Sequence, residues 1–303
     1  MLTKIEAIFS DYDGTLCPTN SAKNVSSIIP KDLESALWKM SQIIPVCIIS
    51  SKDYHFLYPR TRFAWVLSCM MGIETLDLRT RNEVLKEDDH GENNCDNDSL
   101  RIKKQIPHIV KDRKALESSS LLLSGLAGSI EERLGSNIKV ERKFTSDRHL
   151  LAGITVDYRH LEDWKMCKHQ IEPLLKEMVQ KCLSSVPLAT NLYCMTYKSH
   201  PFLDIYAKYC DKGLAFDDVS YELLKMRRAK TLQGILYLGD SENDNAAFRK
   251  ASIALGIASD LRLDPELDCQ YLIQFKNLST LLEKLIKEGF RFSEDLLSGS
   301  TRS

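Results

Sequence analysis

The chain lacks the features that would place it in several broad classes. No apolar run approaches the 18 or more residues of a membrane span. The opening MLTKIEAIFSDYDGTL holds only a short apolar stretch. A secretory signal needs a longer apolar core and a small-residue cleavage site, so a cytoplasmic protein is expected. Neither sign of charge dominates: 41 Lys+Arg stand against 42 Asp+Glu, a formal net charge of −1. That balance speaks against a nucleic-acid-binding stripe. The nine cysteines are scattered, odd in number and never in a CxxC pair, and the seven histidines form no HExxH. A zinc site is therefore disfavoured. Most cysteines are expected to act as small interior hydrophobes, with a disulfide or two left open. There is no internal repeat.

What is present is a globular composition. The 303 residues are 43% hydrophobic and 27% charged, enough for one large domain or two smaller ones. Lys4–Ser10 (KIEAIFS), Pro45–Ile49 (PVCII) and Phe63–Leu67 (FAWVL) read as short buried strands. Pro30–Ile43 carries Leu33, Leu37 and Met40 at helical spacing, with Ile44 just beyond. This alternation indicates βαβ units and a parallel sheet. Glu87–Ser99 (EDDHGENNCDNDS) is acidic, Asn-rich and nearly free of apolar residues, and is read as a loop or disordered insertion. A different pattern follows: a helix over Leu116–Leu134, strands over Ile138–Phe144 and Leu151–Tyr158, a helix over Leu161–Leu183, and strands over Leu192–Tyr197 and Phe202–Ala207. This is an α+β module inserted into the α/β domain. The first pattern returns with a helix over Gly213–Arg228, strands over Gly234–Leu238, Ile253–Ile257 and Tyr271–Ile273, and a closing helix over Leu278–Lys287. The tail from Ser293 is polar and is expected to fray. The expected division is a core of 1–78 and 208–303 around an inserted module of 79–207.

Four segments carry candidate chemistry. In Asp11-Tyr12-Asp13-Gly14-Thr15-Leu16 an apolar strand ends on two carboxylates at i and i+2, which point to one side of an extended backbone. Open α/β sheets place ligands beyond the carboxyl ends of their strands. Such a pair can hold a divalent cation, or divide into a nucleophile and an acid/base. An ordinary Asp/Gly turn accounts equally well for this segment taken alone. Gly239-Asp240-Ser241-Glu242-Asn243-Asp244 also follows an apolar strand and opens a helix over Ala246–Ala251. Capping explains some of its polar residues, but not two carboxylates four apart beyond a strand. Ser50 follows PVCII, where a hydroxyl and exposed N–H groups can hold a phosphate oxygen. Lys212, before a helix, can neutralise a phosphoryl group as a point charge. Ser in a turn and a solvated lysine are the plainer readings of these last two.

In this order the four segments resemble the haloacid dehalogenase (HAD) superfamily, and the inserted module resembles its type-2 cap, subclass B. The resemblance implies a Rossmann-like parallel-sheet α/β core with an inserted α+β cap. It implies Asp11 as a nucleophile forming an aspartyl-phosphate and Asp13 as the general acid/base. Ser50, Lys212 and Asn243 would meet the substrate phosphate. Mg²⁺ would be held by Asp11, Asp13 (through its carbonyl) and Asp240, with Asp244 in support. Dehalogenases lack an acid/base at the position of Asp13, and P-type ATPases have Thr there together with a membrane domain. A phosphatase or phosphomutase remains, acting on a phosphorylated small molecule, with neither nucleic acid nor membrane as partner.

AIFSDYDGTLCP and Asp244-Asn245-Ala246-Ala247-Phe248 are similar to motifs of trehalose-6-phosphate phosphatases. Ile49-Ser50-Ser51-Lys52 is closer to mannosyl-3-phosphoglycerate phosphatases, and GDS with Asn243-Asp244 is shared with sucrose-phosphatases and the Cof-type group. The balance favours a trehalose-phosphatase-like enzyme. A phosphomutase and a non-catalytic phosphosugar-binding protein are the alternatives. Arg142, Lys143, Arg148, His149, Lys198 and His200 are candidate substrate contacts in the module, against the plain reading of solvated charge on strand edges.

Overall fold

The computed structural model describes residues 2–18, 28–79, 108–110, 112–135, 138–184, 191–198, 200–227, 231–258 and 267–297. The expected acidic loop at 87–99, with Cys95 inside it, lies outside the described residues. The chain begins with β1 (Thr3–Lys4), β2 (Ala7–Ser10), α1 (Lys31–Ser41), β3 (Val46–Ile49), α2 (Tyr54–Leu57), β4 (Val66–Cys69), β5 (Glu74–Asp77) and β6 (His108–Val110). It continues through α3 (Arg113–Leu134), β7 (Lys139–Phe144), β8 (Leu151–Asp157), α4 (Trp164–Ser184), β9 (Tyr193–Thr196) and β10 (Phe202–Tyr206). It closes with α5 (Lys212–Arg227), β11 (Ile235–Gly239), α6 (Asn245–Phe248), β12 (Ile253–Ala258), β13 (Tyr271–Gln274), α7 (Leu278–Lys287) and β14 (Arg291–Phe292). Two compact units result, one of Met1–Ser51, Phe56–Ile109 and Asp211–Ser303, the other of Lys52–His55 and Val110–Cys210.

The first unit is built on an eight-stranded sheet of order β13-β12-β11-β2-β3-β4-β5-β6. β2, β3, β4 and β11 are buried at every position, as strands covered on both faces must be. Pairing is parallel from β13 through to β4, and β5 turns back antiparallel to β4. The reversal runs through Met70, Met71 and Gly72, all at positive φ (50°, 55° and 90°). α1 buries Leu33, Ala36, Leu37 and Met40, a stripe at helical spacing, and packs against α7 and β3. α5 buries Ala215, Phe216, Val219 and Leu223 in a core shared with Phe9, Ile49, Tyr237 and Phe248. Each fully buried large apolar side chain contributes roughly 1.5–3 kcal/mol.

The second unit is a four-stranded antiparallel sheet, β7-β8-β10-β9, with α3 packed on β7 and β8 and α4 packed on α3. Strand alternation sorts its faces. Arg142 reaches Glu131 on α3, so Val140 and Arg142 belong to the helix-covered face and Glu141 and Lys143 to the other. On that other face Lys143 is buried and commits its ammonium to Asp204 (2.9 Å) and Tyr206 (3.0 Å).

The expected α/β core with an α+β module describes this fold, with local corrections. The strand expected over Phe63–Leu67 is Val66–Cys69, because Ala64 N–H closes a turn on the Thr61 carbonyl and pairing with β3 starts later. The helix expected over Ala246–Ala251 is the single turn Asn245–Phe248. Of the tail expected to fray from Ser293, Glu294–Leu297 form a 3₁₀ turn held by burial of Leu297, and 298–303 lie outside the described residues. Among the eight described cysteines no disulfide forms, and Cys17, Cys47, Cys69 and Cys210 are buried. No helix among the described residues is long and apolar enough to cross a membrane.

Candidate active site

The sheet order creates a crevice. The chain moves from β2 to β3 and β4 in one direction and from β11 to β12 and β13 in the other. β2 and β11 are therefore neighbours at the point where the order reverses, which is where open α/β sheets bind ligands. Their register, Leu238↔Ser10, brings the residues just past each strand together, and Asp11 N–H donates to the Leu238 carbonyl at 2.9 Å. Asp11 and Asp240 thus emerge side by side from neighbouring strands, and the side chains of Thr15 and Asp240, 225 residues apart in sequence, meet at 3.2 Å.

Asp11, Asp240 and Asp244 present carboxylate oxygens all within 4.8 Å of one another. Lys212, the first residue of α5, is 2% exposed and points its ammonium between Asp11 (3.0 Å) and Asp244 (2.7 Å). Two glycines make this closeness possible. Gly14 has φ +83°, and a Cβ there would lie 1.8 Å from Asp240 Oδ2. A Cβ on Gly239 would lie 2.4 Å from Asp244 Cγ. Ser241 caps the turn that presents Asp244: its side chain accepts from the Asp244 N–H, and Asp244 in turn accepts from the Ser241 backbone.

The electrostatics are unbalanced. Burial pushes Asp11 up to about 7, Lys212 opposes this, and the neighbouring charges of Asp244 and Asp13 push the same way as burial. Asp240 is raised well above its ordinary value by burial, then by Asp11 and Asp244. Burial would lower Lys212, but Asp11 and Asp244 more than offset it and its pKa is raised. One ammonium thus serves several crowded carboxylates, and the remaining negative charge calls for another cation. An all-oxygen donor set of this kind suits a hard divalent ion such as Mg²⁺.

Of the residues singled out from sequence, Asp11, Asp240, Asp244 and Lys212 come together in one ion-paired cluster. Asp13 is half-buried in the tight turn that bridges to Cys17, and its carboxylate is not part of the acidic triple, although its charge reaches Asp11. Ser50 is buried one residue past β3, at the same end of the sheet, its amide donating to the Ser68 carbonyl and its carbonyl accepting from Met71 N–H. Asn243 is half-buried in the 3₁₀ turn Glu242–Asp244. Sequence reasoning missed two participants. Thr15 donates to Asp240 Oδ1 at 3.2 Å, and Tyr237 donates to Asp244 Oδ1 at 2.7 Å. Thr15 could have been read from its place in DYDGT, whereas a tyrosine inside an apolar strand gives no such signal.

No family model matches the chain, and no curated protein matches it either. Solved structures do. The C. albicans trehalose-6-phosphate phosphatase C-terminal domain is similar with TM-score 0.66 at 16% identity, over 94% of each chain. A trehalose-6-phosphate phosphatase related protein is similar with TM-score 0.58 at 14% identity, over 93% of this chain and 98% of that one. A haloacid dehalogenase-like hydrolase from Bacteroides thetaiotaomicron is similar with TM-score 0.55 at 14% identity, over 93% of this chain and all of that one. The chain has the fold of the haloacid dehalogenase-like hydrolases.

Proposed function

We propose that the chain is a Mg²⁺-dependent sugar-phosphate phosphatase working through an aspartyl-phosphate. The observation that carries this reading is the buried Lys212 ammonium set between Asp11 and Asp244 amid an excess of carboxylates. Asp11 attacks phosphorus: a bond forms from its carboxylate oxygen as the bond to the sugar oxygen breaks. Asp13 gives a proton to the departing sugar oxygen, then takes one from the water that opens the acyl phosphate and frees inorganic phosphate. Lys212 offsets the repulsion between Asp11 and the phosphoryl oxygens, and Ser50 and Asn243 orient those oxygens. Asp11, Asp240 and the Asp13 carbonyl would hold Mg²⁺. Bound there, the ion neutralises charge developing on the transferring group. A cytoplasmic location belongs to the same reading, where the described cysteines, which form no disulfide, would stay reduced.

Trehalose 6-phosphate is the first substrate choice. It is supported by DYDGTL, by the Asp244–Phe248 segment, and by structural neighbours whose names include trehalose-6-phosphate phosphatase. Mannosyl-3-phosphoglycerate is the second, favoured by Ser50-Ser51-Lys52. The test is phosphate release with Mg²⁺ from an aryl phosphate and a panel of trehalose 6-phosphate, hexose phosphates, sucrose 6-phosphate and mannosyl-3-phosphoglycerate. Release by wild type and none by Asp11→Asn supports the reading. Equal inactivity of both across the panel points to a binding protein, and isomerised sugar phosphate with little free phosphate points to a mutase.

A further inference from the structure

Asp244 accepts from five donors. Oδ1 takes Lys212 Nζ at 2.7 Å and the Tyr237 hydroxyl at 2.7 Å. Oδ2 takes the backbone N–H of Asp240 at 3.2 Å, and both the N–H and the hydroxyl of Ser241, at 3.1 and 3.2 Å. An ionised carboxylate offers about four lone-pair sites, so none is left for a metal ion. Tyr237 sits in β11 among Ile235, Leu236, Leu238 and Gly239, where packing alone has no use for a hydroxyl. Its ring lies edge-on to Phe248 at 5.4 Å, a contact phenylalanine would make equally well. The phenol oxygen is buried, and the acceptor it finds is the oxygen that also holds Lys212.

Resting on the phosphatase reading above, we infer that Tyr237 is a positioning residue: it commits Asp244 to Lys212 and keeps Asp244 out of the cation's ligand shell. Lysine has a long flexible stem and is placed only by what its ammonium meets. Lys212 is held at two points, Asp11 and Asp244. The second point is fixed because Tyr237 on one oxygen and the Ser241 region on the other stop the Asp244 carboxylate from rotating. Asp11 and Asp240 are then the side chains that meet the metal.

The test compares Tyr237→Phe, Ser241→Ala, Asp244→Asn and Asp240→Asn in the full chain. Tyr237→Phe should lower kcat about 10- to 100-fold, the value of a hydrogen bond to a charged group, with KM within about twofold. Ser241→Ala should do less, since Oδ2 keeps two backbone donors. The Lys212 ammonium ¹H–¹⁵N signal, assigned with Lys212→Arg, should shift or broaden in Tyr237→Phe. Mg²⁺ titrated calorimetrically should bind Asp240→Asn at least about tenfold more weakly than Asp244→Asn, as expected if only the former is a ligand. Wild-type kcat in Tyr237→Phe with an unshifted Lys212 signal overturns the inference. So does equal loss of Mg²⁺ affinity in Asp244→Asn and Asp240→Asn. If wild type hydrolyses nothing, the phosphatase reading fails while the calorimetric and spectroscopic arms still decide this one.

Discussion

Among the described residues two lysines are buried, Lys143 and Lys212, and they differ in how their charge is answered. Lys143 faces Asp204, whose oxygens also accept from Thr155 and, at 2.6 Å, from Tyr197. Next to it Lys52 pairs with Glu141 at 3.0 Å, so two ammonium groups meet two carboxylates. Burial would raise Asp204, but Lys143 and the hydroxyls more than offset it, and its pKa is lowered. Glu141 is lowered for the same kind of reason, with Lys52 and Lys143 outweighing burial. Around Lys212 both shifts run the other way, with Asp11 and Asp240 raised. A buried ion pair is therefore not in itself a sign of chemistry. The balanced cluster closes on itself, whereas the unbalanced one is left with surplus negative charge, the condition on which the proposed cation site rests.

This contrast can be broken by mutation. Asp11→Asn should cost at least about 10³-fold in phosphate release, while raising the melting temperature of the metal-free protein by removing surplus charge. Asp204→Ala should lose about 3–5 kcal/mol of stability by urea unfolding, because Lys143 is left buried without its counterion. Asp240→Asn in metal-free protein should be neutral or stabilising in the same assay. An equal loss in the two variants would erase the distinction between the clusters.

The contrast also predicts opposite pH responses. The raised Asp11 pKa, about 7 against an ordinary 3.8, contributes stability that is complete below about pH 4 and lost as pH rises through 7. The lowered Asp204 contributes stability above its ordinary pKa that is lost as pH falls through its folded value. The melting temperature of the metal-free protein should fall from pH 5 to pH 8, and Mg²⁺ should raise it more at pH 8 than at pH 5. A Mg²⁺ shift independent of pH would contradict the charge excess. The smallest effect belongs to the exposed Arg142–Glu131 pair, where Glu131→Ala should change stability by less than about 1 kcal/mol.

The sequence carried the site better than it carried the sheet edge. Asp11 and Asp240 were legible because each follows an apolar run, and a parallel sheet turns such endings into neighbours. α7 was legible to the residue because Leu278, Leu281, Leu282 and Leu285 form an unbroken stripe. β5 was not foreseen: its antiparallel return depends on Met70 and Met71 adopting left-handed backbone, and only Gly72 hints at that. Lys143 is legible only as a candidate substrate contact or a solvated charge, because its buried partner Asp204 lies 61 residues away and only pairing of β7, β8 and β10 joins them. Tyr237 was missed because a hydrophobic pattern cannot tell a phenol from a phenyl ring. Local pattern shows which groups are present, and long-range register decides which charges are answered.

Acid quenching during turnover of the preferred substrate, followed by peptide mass analysis, tests the central claim most directly. One phosphoryl group confined to the peptide containing Asp11, and absent from Asp11→Asn, is the expected result. Steady release of phosphate with Asp11 never modified, or undiminished release by Asp11→Asn, would contradict it.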